Sequence, residues 1–270
     1  MPAEDALVAY IDFSAMRRGG VLQLLDGSKA GEDPEYQSFV RRTQFDYKKD
    51  LDAALVAFAP TGRFLLLKGR FDWKSLRAYV ESQHGQCVNS FCRMTGSAPE
   101  RRISFFPLRS NLMALAVSPD ESAALRLNNA VSGSDPQVPA APVWLSIPTS
   151  MLKSGDSLPA GTRMFASGME RAETVTLAFA PEGQGLAARL EVRCRDDRDA
   201  ADLASQLTRT TNLLRETMER ERQKPTPADL SGVLTSGVFR NDGRRVLGYW
   251  PIERAFVQNV LGGPGMPGPY

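Results

Sequence analysis

The sequence predicts an α+β protein of two unequal, tandem ferredoxin-like (split β-α-β) repeats, in which antiparallel sheets carry helices on one face. The first indication is a near-repeat, because AFAPTG at residues 57–62 returns as AFAPEG at residues 178–183. The second is that the patterns of each half run strand, helix, strand, strand, helix, strand, strand, helix. The third is a segment rich in proline, serine and glycine at residues 131–142, which is typical of a linker.

These patterns divide the 270 residues into four parts. We predict a first repeat over residues 1–130, with an insertion at about residues 25–50 that has no counterpart in the second half. The linker at residues 131–142 follows, and the second repeat covers residues 143–261. Residues 262–270 are rich in glycine and proline, which predicts a flexible tail.

Turn chemistry explains the repeated hexapeptide. In each copy a proline presets φ for a type I turn, and a glycine stands at the fourth position, where a left-handed residue closes the hairpin. We therefore predict turns at residues 59–62 and 180–183. The letter that differs, Thr61 against Glu182, occupies a free turn position. The recurrence indicates duplicated architecture and not a duplicated ligand site.

Capping residues mark the predicted helix starts in the first half. Asp72 is the expected N-cap of a helix that places Leu76 and Val80 on one face. Ser118 is the expected N-cap of a later helix, with proline at the first helical position and Glu121 completing a capping box.

The second half contains the longest predicted helix, in RDDRDAADLASQLTRTTNLLRETMERERQ. Its predicted buried stripe is Ala200, Leu203, Leu207, Leu214 and Met218. After it, SGVLTSGVFR is a predicted strand that turns at residues 241–243 into RRVLGYW, and Pro251 is expected to start a final helix.

Charge and hydropathy exclude several classes of protein. The chain has 33 basic and 31 acidic residues, so no large field attracts it to nucleic acid or to an anionic membrane. Its apolar runs are far shorter than the ~20 residues of a membrane-spanning helix. The start, MPAEDALVAYIDF, has neither the basic nor the apolar region of a signal peptide, so the sequence as written predicts a soluble chain.

The segment HGQCVNSFC leaves three interpretations open. His84, Cys87 and Cys92 offer imidazole and thiolate ligands to zinc, but the C-x₄-C spacing is no zinc signature and a fourth ligand is not evident. The two thiols alternatively stay unpaired, or they form a disulfide in an oxidising compartment. The pattern favours the disulfide. The third cysteine, Cys194, ends a predicted strand, where a small apolar residue is expected.

No motif indicates an enzyme. With one histidine in the chain, any catalytic triad would have to use His84, and no nucleophile elbow, phosphate loop or metalloprotease helix occurs. The acidic run at residues 196–199 stands at a helix start, where acids stabilise exposed amides. We therefore predict no catalytic residue, no cofactor and no metal site.

Two binding alternatives remain. A sheet face can present aromatic residues to single-stranded nucleic acid. The candidates for such a surface are Arg70, Phe71, Phe105, Phe106 and Arg109. Two packed sheets can alternatively enclose a cavity for a small ligand, which would also suit an enzyme.

The opening PAEDALVAYIDFSAM, the loop C-x₄-C-R-M-T-G-S and the segment RRISFFPLRSNLMALAVS resemble a group of uncharacterised bacterial proteins with export or lipoprotein signals. The resemblance implies an extracytoplasmic location and favours a bridge between Cys87 and Cys92. It supplies no activity. We therefore predict a non-catalytic binding or assembly module of the bacterial cell envelope, with another envelope protein as a possible class of partner.

Overall fold

The chain forms two compact units, residues 1–142 and residues 143–270. The computed structural model describes residues 5–19, 34–96, 101–128, 139–154, 165, 167–169 and 172–262. Both units are mixed α and β, and the strand pairs described within each unit are antiparallel. The predicted α+β class with antiparallel sheets is confirmed. Most of the predicted linker and the tail at residues 263–270 lie outside the described residues.

The first unit is built around a sheet in the order β1-β2-β3-β7-β6-β5-β4. Its strands are β1 (Leu7–Asp12), β2 (Leu51–Ala59), β3 (Gly62–Gly69), β4 (Gln86–Val88), β5 (Phe91–Thr95), β6 (Arg102–Arg109) and β7 (Leu112–Ser118). Its helices are α1 (Phe13–Arg18), α2 (Pro34–Thr43), α3 (Tyr47–Asp50), α4 (Trp73–Ser82) and a 3₁₀ helix (Ala123–Leu127).

The second unit pairs its strands in the order β8-β9-β10-β12-β11. These are β8 (Val143–Ile147), β9 (Thr174–Glu182), β10 (Gly185–Arg193), β11 (Val238–Asp242) and β12 (Arg245–Ile252). The helices are α5 (Thr149–Ser154), α6 (Asp197–Arg220), α7 (Leu230–Thr235), α8 (Arg254–Gly262) and a 3₁₀ turn (Ser167–Met169).

The strand order corrects the ferredoxin-like part of the prediction. In a split β-α-β unit the first strand pairs with the second strand of the hairpin that follows. Here β1 pairs with β2, the first strand of that hairpin. The Arg17 guanidinium donates to the carbonyls of Lys48 and Leu51 at 3.0 and 2.7 Å, so the connection from β1 returns to the end of the sheet from which it left. A strand that starts there runs antiparallel beside β1.

The two units nevertheless share one internal order. Each has a first strand, then a hairpin, then a helix, then a hairpin whose last strand pairs with the second strand of the earlier hairpin. These pairs are β3 with β7 and β10 with β12. The first unit differs because β4 and β5 extend its sheet beyond β6.

Apolar clusters occupy both faces of the sheet in the first unit. On one face, Leu76 and Val80 of α4 pack with Phe105 and Met113. On the other face, the fully buried ring of Phe64 packs with small residues and with the 3₁₀ helix; these residues are Ala57, Ala114, Ala116, Ala123, Ala124 and Leu127. Helical segments therefore cover both faces of this sheet, and not one face as predicted.

Helix α6 confirms the predicted helix of the second half. Asp196 is its N-cap and accepts a hydrogen bond from the amide of Asp199 at 2.8 Å. Its buried residues are Ala200, Leu203, Ala204, Leu207, Thr211 and Met218. Leu214 of the predicted stripe is only half-buried.

The two copies of the hexapeptide lie at different places in their hairpins. Pro60 and Thr61 form the first turn, and Gly62 follows with φ of 142°. In the second copy Pro181 is still within β9, and the turn is Gly183-Gln184, with φ of 58° at the glycine. Glycine in the first central position is the signature of a type II′ turn. Both hairpins are confirmed, but the turn predicted at residues 180–183 is displaced.

Two other predictions change at their boundaries. Residues 231–240 were expected to form a strand, but their first part belongs to helix α7, because Asp229 caps it by accepting from the amides of Ser231 and Gly232. The last helix begins at Arg254, since Pro251 is still paired in β12. Asp72 caps α4 as predicted, accepting from two backbone amides at 3.0 and 3.2 Å.

The unequal turns predict unequal costs for one substitution. A Cβ at residue 62 would lie 2.6 Å from the Val117 carbonyl oxygen and 2.8 Å from the Ser118 Cβ, whereas none of the described atoms lies within 4 Å of a Cβ at residue 183. Gly183→Ala is expected to cost about 1 kcal/mol, for the left-handed backbone alone. Gly62→Ala is expected to cost about 3 kcal/mol, because overpacking adds to the strain.

The free energy of unfolding of both variants, measured by denaturant titration, checks this difference. Equal losses would contradict the displaced turn.

Candidate functional site

The segment HGQCVNSFC forms a disulfide-bridged hairpin at the end of the first unit's sheet. Cys87 of β4 lies directly opposite Cys92 of β5, and their sulfur atoms are bonded at 2.02 Å. This is the pairing that the resemblance favoured. Because both sulfurs are engaged, they offer no thiolates to a zinc ion beside His84.

The end of helix α4 brings His84 next to this hairpin. The amide of His84 donates to the Glu81 carbonyl at 3.1 Å and that of Gly85 donates to the Val80 carbonyl at 2.9 Å, which is a Schellman motif. His84 therefore has a φ of 60°. A Cβ at Gly85 would lie 2.6 Å from the Arg93 carbonyl oxygen, so glycine allows the helix end to approach β5 closely.

Two arginines converge on one carboxylate beside the hairpin. Arg93 of β5 and Arg102 of β6 lie on the same sheet face, as diagonal neighbours across the register Arg93↔Ser104. The Nη1 groups of Arg93 and Arg102 contact different oxygens of Glu121, at 2.8 and 3.5 Å. Arg93 Nη2 also donates to Gln86 Oε1 at 3.1 Å.

These side chains line an open cleft of about 200 Å³. The lining residues are His84, Gly85, Gln86, Arg93, Met94, Thr95, Arg102 and Glu121. The guanidinium groups are always protonated, so the lining carries two fixed positive charges against the carboxylate of Glu121. The side chains of Arg93, Arg102 and Glu121 are each 40 to 47% exposed, so solutes can reach them.

Glu121 is free for this role because Asp120, and not Glu121, is bonded within the turn that precedes the 3₁₀ helix. Ser118 Oγ donates to the Thr61 carbonyl and accepts from the Asp120 amide. The Asp120 carboxylate accepts from the amide and hydroxyl of Ser122, and these bonds, together with Arg126, lower the pKa of Asp120. The predicted capping box of Ser118 and Glu121 is therefore corrected, and a 3₁₀ helix follows instead.

The predicted aromatic residues of β6 do not form one surface. Phe105 and Phe106 are consecutive in the strand, so their side chains lie on opposite faces. Phe105 is buried in the cluster beneath α4, and Phe106 is half-buried on the other face. Arg109 is exposed at the far end of the strand from Arg102.

The other two candidates fasten the helices of the first unit to its sheet. Arg70 Nη2 donates to the Lys49 carbonyl and to Asp50 Oδ1, both at 2.9 Å. The ring of Phe71 stacks on that of Phe45, with centroids 5.4 Å apart. Neither residue joins Phe105 or Arg109 in a shared pocket of the described structure.

Comparison with known proteins supports the fold. No protein-family model and no curated protein matches the chain. Crystal form I of TP0453, a treponemal outer-membrane-associated protein, is similar in structure, with a TM-score of 0.51 and 12% identity over 97% of this chain and 96% of that chain. Crystal form III of TP0453 gives 0.51 and 10% over 94% of both chains.

Across the described ranges, no three histidine, cysteine or acidic side chains are grouped so that they could hold a metal ion. None of the helices described is both long enough and apolar enough to cross a lipid bilayer.

The cysteines give a direct prediction. Proteolysis without reduction should yield the peptides of Cys87 and Cys92 linked, with Cys194 as a free thiol. Cys194 should react slowly with an alkylating agent in the folded protein, because burial and then nearby acids raise its pKa. The double variant Cys87→Ser/Cys92→Ser should lose about 2 kcal/mol of stability, the value for so short a loop. Rapid alkylation of Cys87 in the unreduced protein would contradict the bridge.

Proposed function

We propose that the chain is a non-catalytic binding module of the bacterial cell envelope, and that the cleft of the first unit is its binding site. The observation that carries this proposal is the convergence of Arg93 and Arg102 on Glu121 beside a disulfide-bridged hairpin. Three separate segments of the chain supply these groups. Such convergence on an exposed cleft suits the recognition of a charged partner.

The chemistry of the cleft favours binding over catalysis. Arginine does not deprotonate in proteins, so Arg93 and Arg102 supply fixed charge and directed donors rather than a mobile proton. Glu121 contacts both guanidinium groups and holds them in position. The two guanidinium groups orient a ligand without exchanging protons with it.

Two observations support an envelope location. A structural disulfide persists in oxidising compartments outside the cytoplasm. The similar fold of TP0453, a treponemal outer-membrane-associated protein, points in the same direction. The resemblance of the sequence to exported bacterial proteins adds to both.

We also propose that the two units descend from one duplicated unit. The shared order of their strands and the near-identical hexapeptides support a common origin. The units then diverged, because the β4–β5 hairpin that carries the cleft has no counterpart among the described residues of the second unit. On this proposal, binding was added to one copy of an inherited framework.

Site-specific photocrosslinking in the native bacterium tests the proposed binding site. A photoreactive side chain replaces Thr95, which is exposed and lines the cleft. The matched control replaces Lys74, which is exposed on α4 and lies outside the cleft. We expect a discrete adduct with an envelope component at position 95 and none at position 74.

Adducts of equal yield at the two positions, or with cytoplasmic components alone, would overturn the proposal.

A further inference from the structure

We infer that the cleft binds a phosphate group, carried by a small soluble molecule or by a lipid headgroup. This inference rests on the proposed function and specifies the chemistry of its ligand. The reasoning depends on the donors, the charge and the size of the cleft.

The lining offers donors that suit an oxyanion. Each guanidinium has five N–H donors in a planar fork that matches phosphate oxygens. Both terminal nitrogens of Arg93 have an acceptor, because Nη1 donates to Glu121 and Nη2 donates to Gln86. In Arg102, only Nη1 donates to Glu121. Within the described part of the chain no partner contacts Nη2 of Arg102. The imidazole of His84 lies on the same lining and can add a further donor.

The charge of the cleft favours an anion. Among the described residues that line the cleft, Glu121 is the one acidic side chain, and the two positive charges of Arg93 and Arg102 exceed its single negative charge. The neighbouring acid, Asp120, is paired with Arg126 at 2.7 Å. Asp120 therefore does not cancel the excess positive charge, and an incoming anion meets an attractive field.

Glu121 also fixes the geometry of the two arginines. Because its two oxygens contact different guanidinium groups, both forks are held around one point. The carboxylate of Glu121 already occupies the position between the two guanidinium groups. A ligand must therefore bind those N–H donors of the two arginines that Glu121 does not contact. The diverging oxygens of a phosphate can do this, and its higher charge strengthens each contact.

The size of the cleft fits a phosphate group. Its volume of about 200 Å³ exceeds the roughly 30 Å³ that one water occupies in the liquid several-fold. A phosphate group and the first atoms of its substituent can therefore enter. The open mouth leaves the rest of the ligand in solvent, which is compatible with a soluble molecule and with a headgroup at a membrane surface.

Titration of the full, oxidised chain with inorganic phosphate tests the inference. The amide resonances of residues 84–95 should shift in a saturable manner, and acetate at equal ionic strength should bind at least about tenfold more weakly. Arg102→Ala should weaken phosphate binding by about tenfold or more, and Arg102→Lys should weaken it less. Arg109→Ala is the matched control on the same strand and should bind as the parent does.

Vesicles distinguish the two sources of the phosphate. If a lipid supplies it, sedimentation with phosphatidylglycerol vesicles should depend on Arg102 and be competed by inorganic phosphate. If a soluble molecule supplies it, phosphate should bind while Arg102→Ala leaves sedimentation unchanged. Either result supports a phosphate site.

The inference is overturned if phosphate leaves residues 84–95 unshifted, or if Arg109→Ala weakens binding as much as Arg102→Ala. A specific crosslink at position 95 without phosphate binding would remove this inference and leave the proposed function standing.

Discussion

The ladder between β3 and β7 joins two groups of strands, β1-β2-β3 and β7-β6-β5-β4, which share no other ladder among the described residues of the first unit. It runs from Arg63 opposite Val117 to Lys68 opposite Leu112. The corresponding ladder of the second unit joins β10 to β12, from Leu186 opposite Ile252 to Arg193 opposite Arg245. Both ladders form between segments that are distant in sequence. The chain therefore loses considerable conformational entropy before the hydrogen bonds of the ladders form. Close packing compensates: Phe64 is fully buried between small residues of the adjacent strands, Ala57 and Ala116.

This pairing also places the candidate site. Because β7 pairs with β3 on one side and with β6 on the other, β5 and β4 lie further out in the sheet, beyond β6. The turn that follows β7 leads directly to Glu121. The Ser118 hydroxyl fixes that turn to the Thr61 carbonyl of the first hairpin. The carboxylate thus lies above two neighbouring strands that each present an arginine on the same face. The disulfide holds the outermost hairpin, whose next residue pair is Gln86 with Arg93. The architecture and the candidate site therefore depend on one strand order.

Local signals were sufficient for much of the fold, and insufficient for its strand order. The cap at Asp72, most of the buried stripe of α6 and the existence of the hairpins were predictable because caps, helical periodicity and turns act over a few residues. The strand order was not predictable, because helical segments cover both faces of the first sheet and its strands are apolar on both sides. Such strands show no alternation that would indicate which face is buried or which strands are neighbours. The cleft was not predictable from an interpretation of Glu121 as part of a capping box, because its carboxylate instead contacts Arg93 and Arg102. One sequence signal for the cleft was available. Residues that flank a disulfide between neighbouring strands lie opposite each other, so a bridge between Cys87 and Cys92 pairs Gln86 with Arg93.

The most direct test of this account is the set of inter-strand proton contacts measured by NMR in the full chain. The account predicts nuclear Overhauser effects between Phe64 and Ala116, and between Ala188 and Trp250, as their registers require. It also predicts contacts between β1 and β2. Contacts between β1 and β3, as in a split β-α-β unit, together with no contacts between β3 and β7, would contradict it.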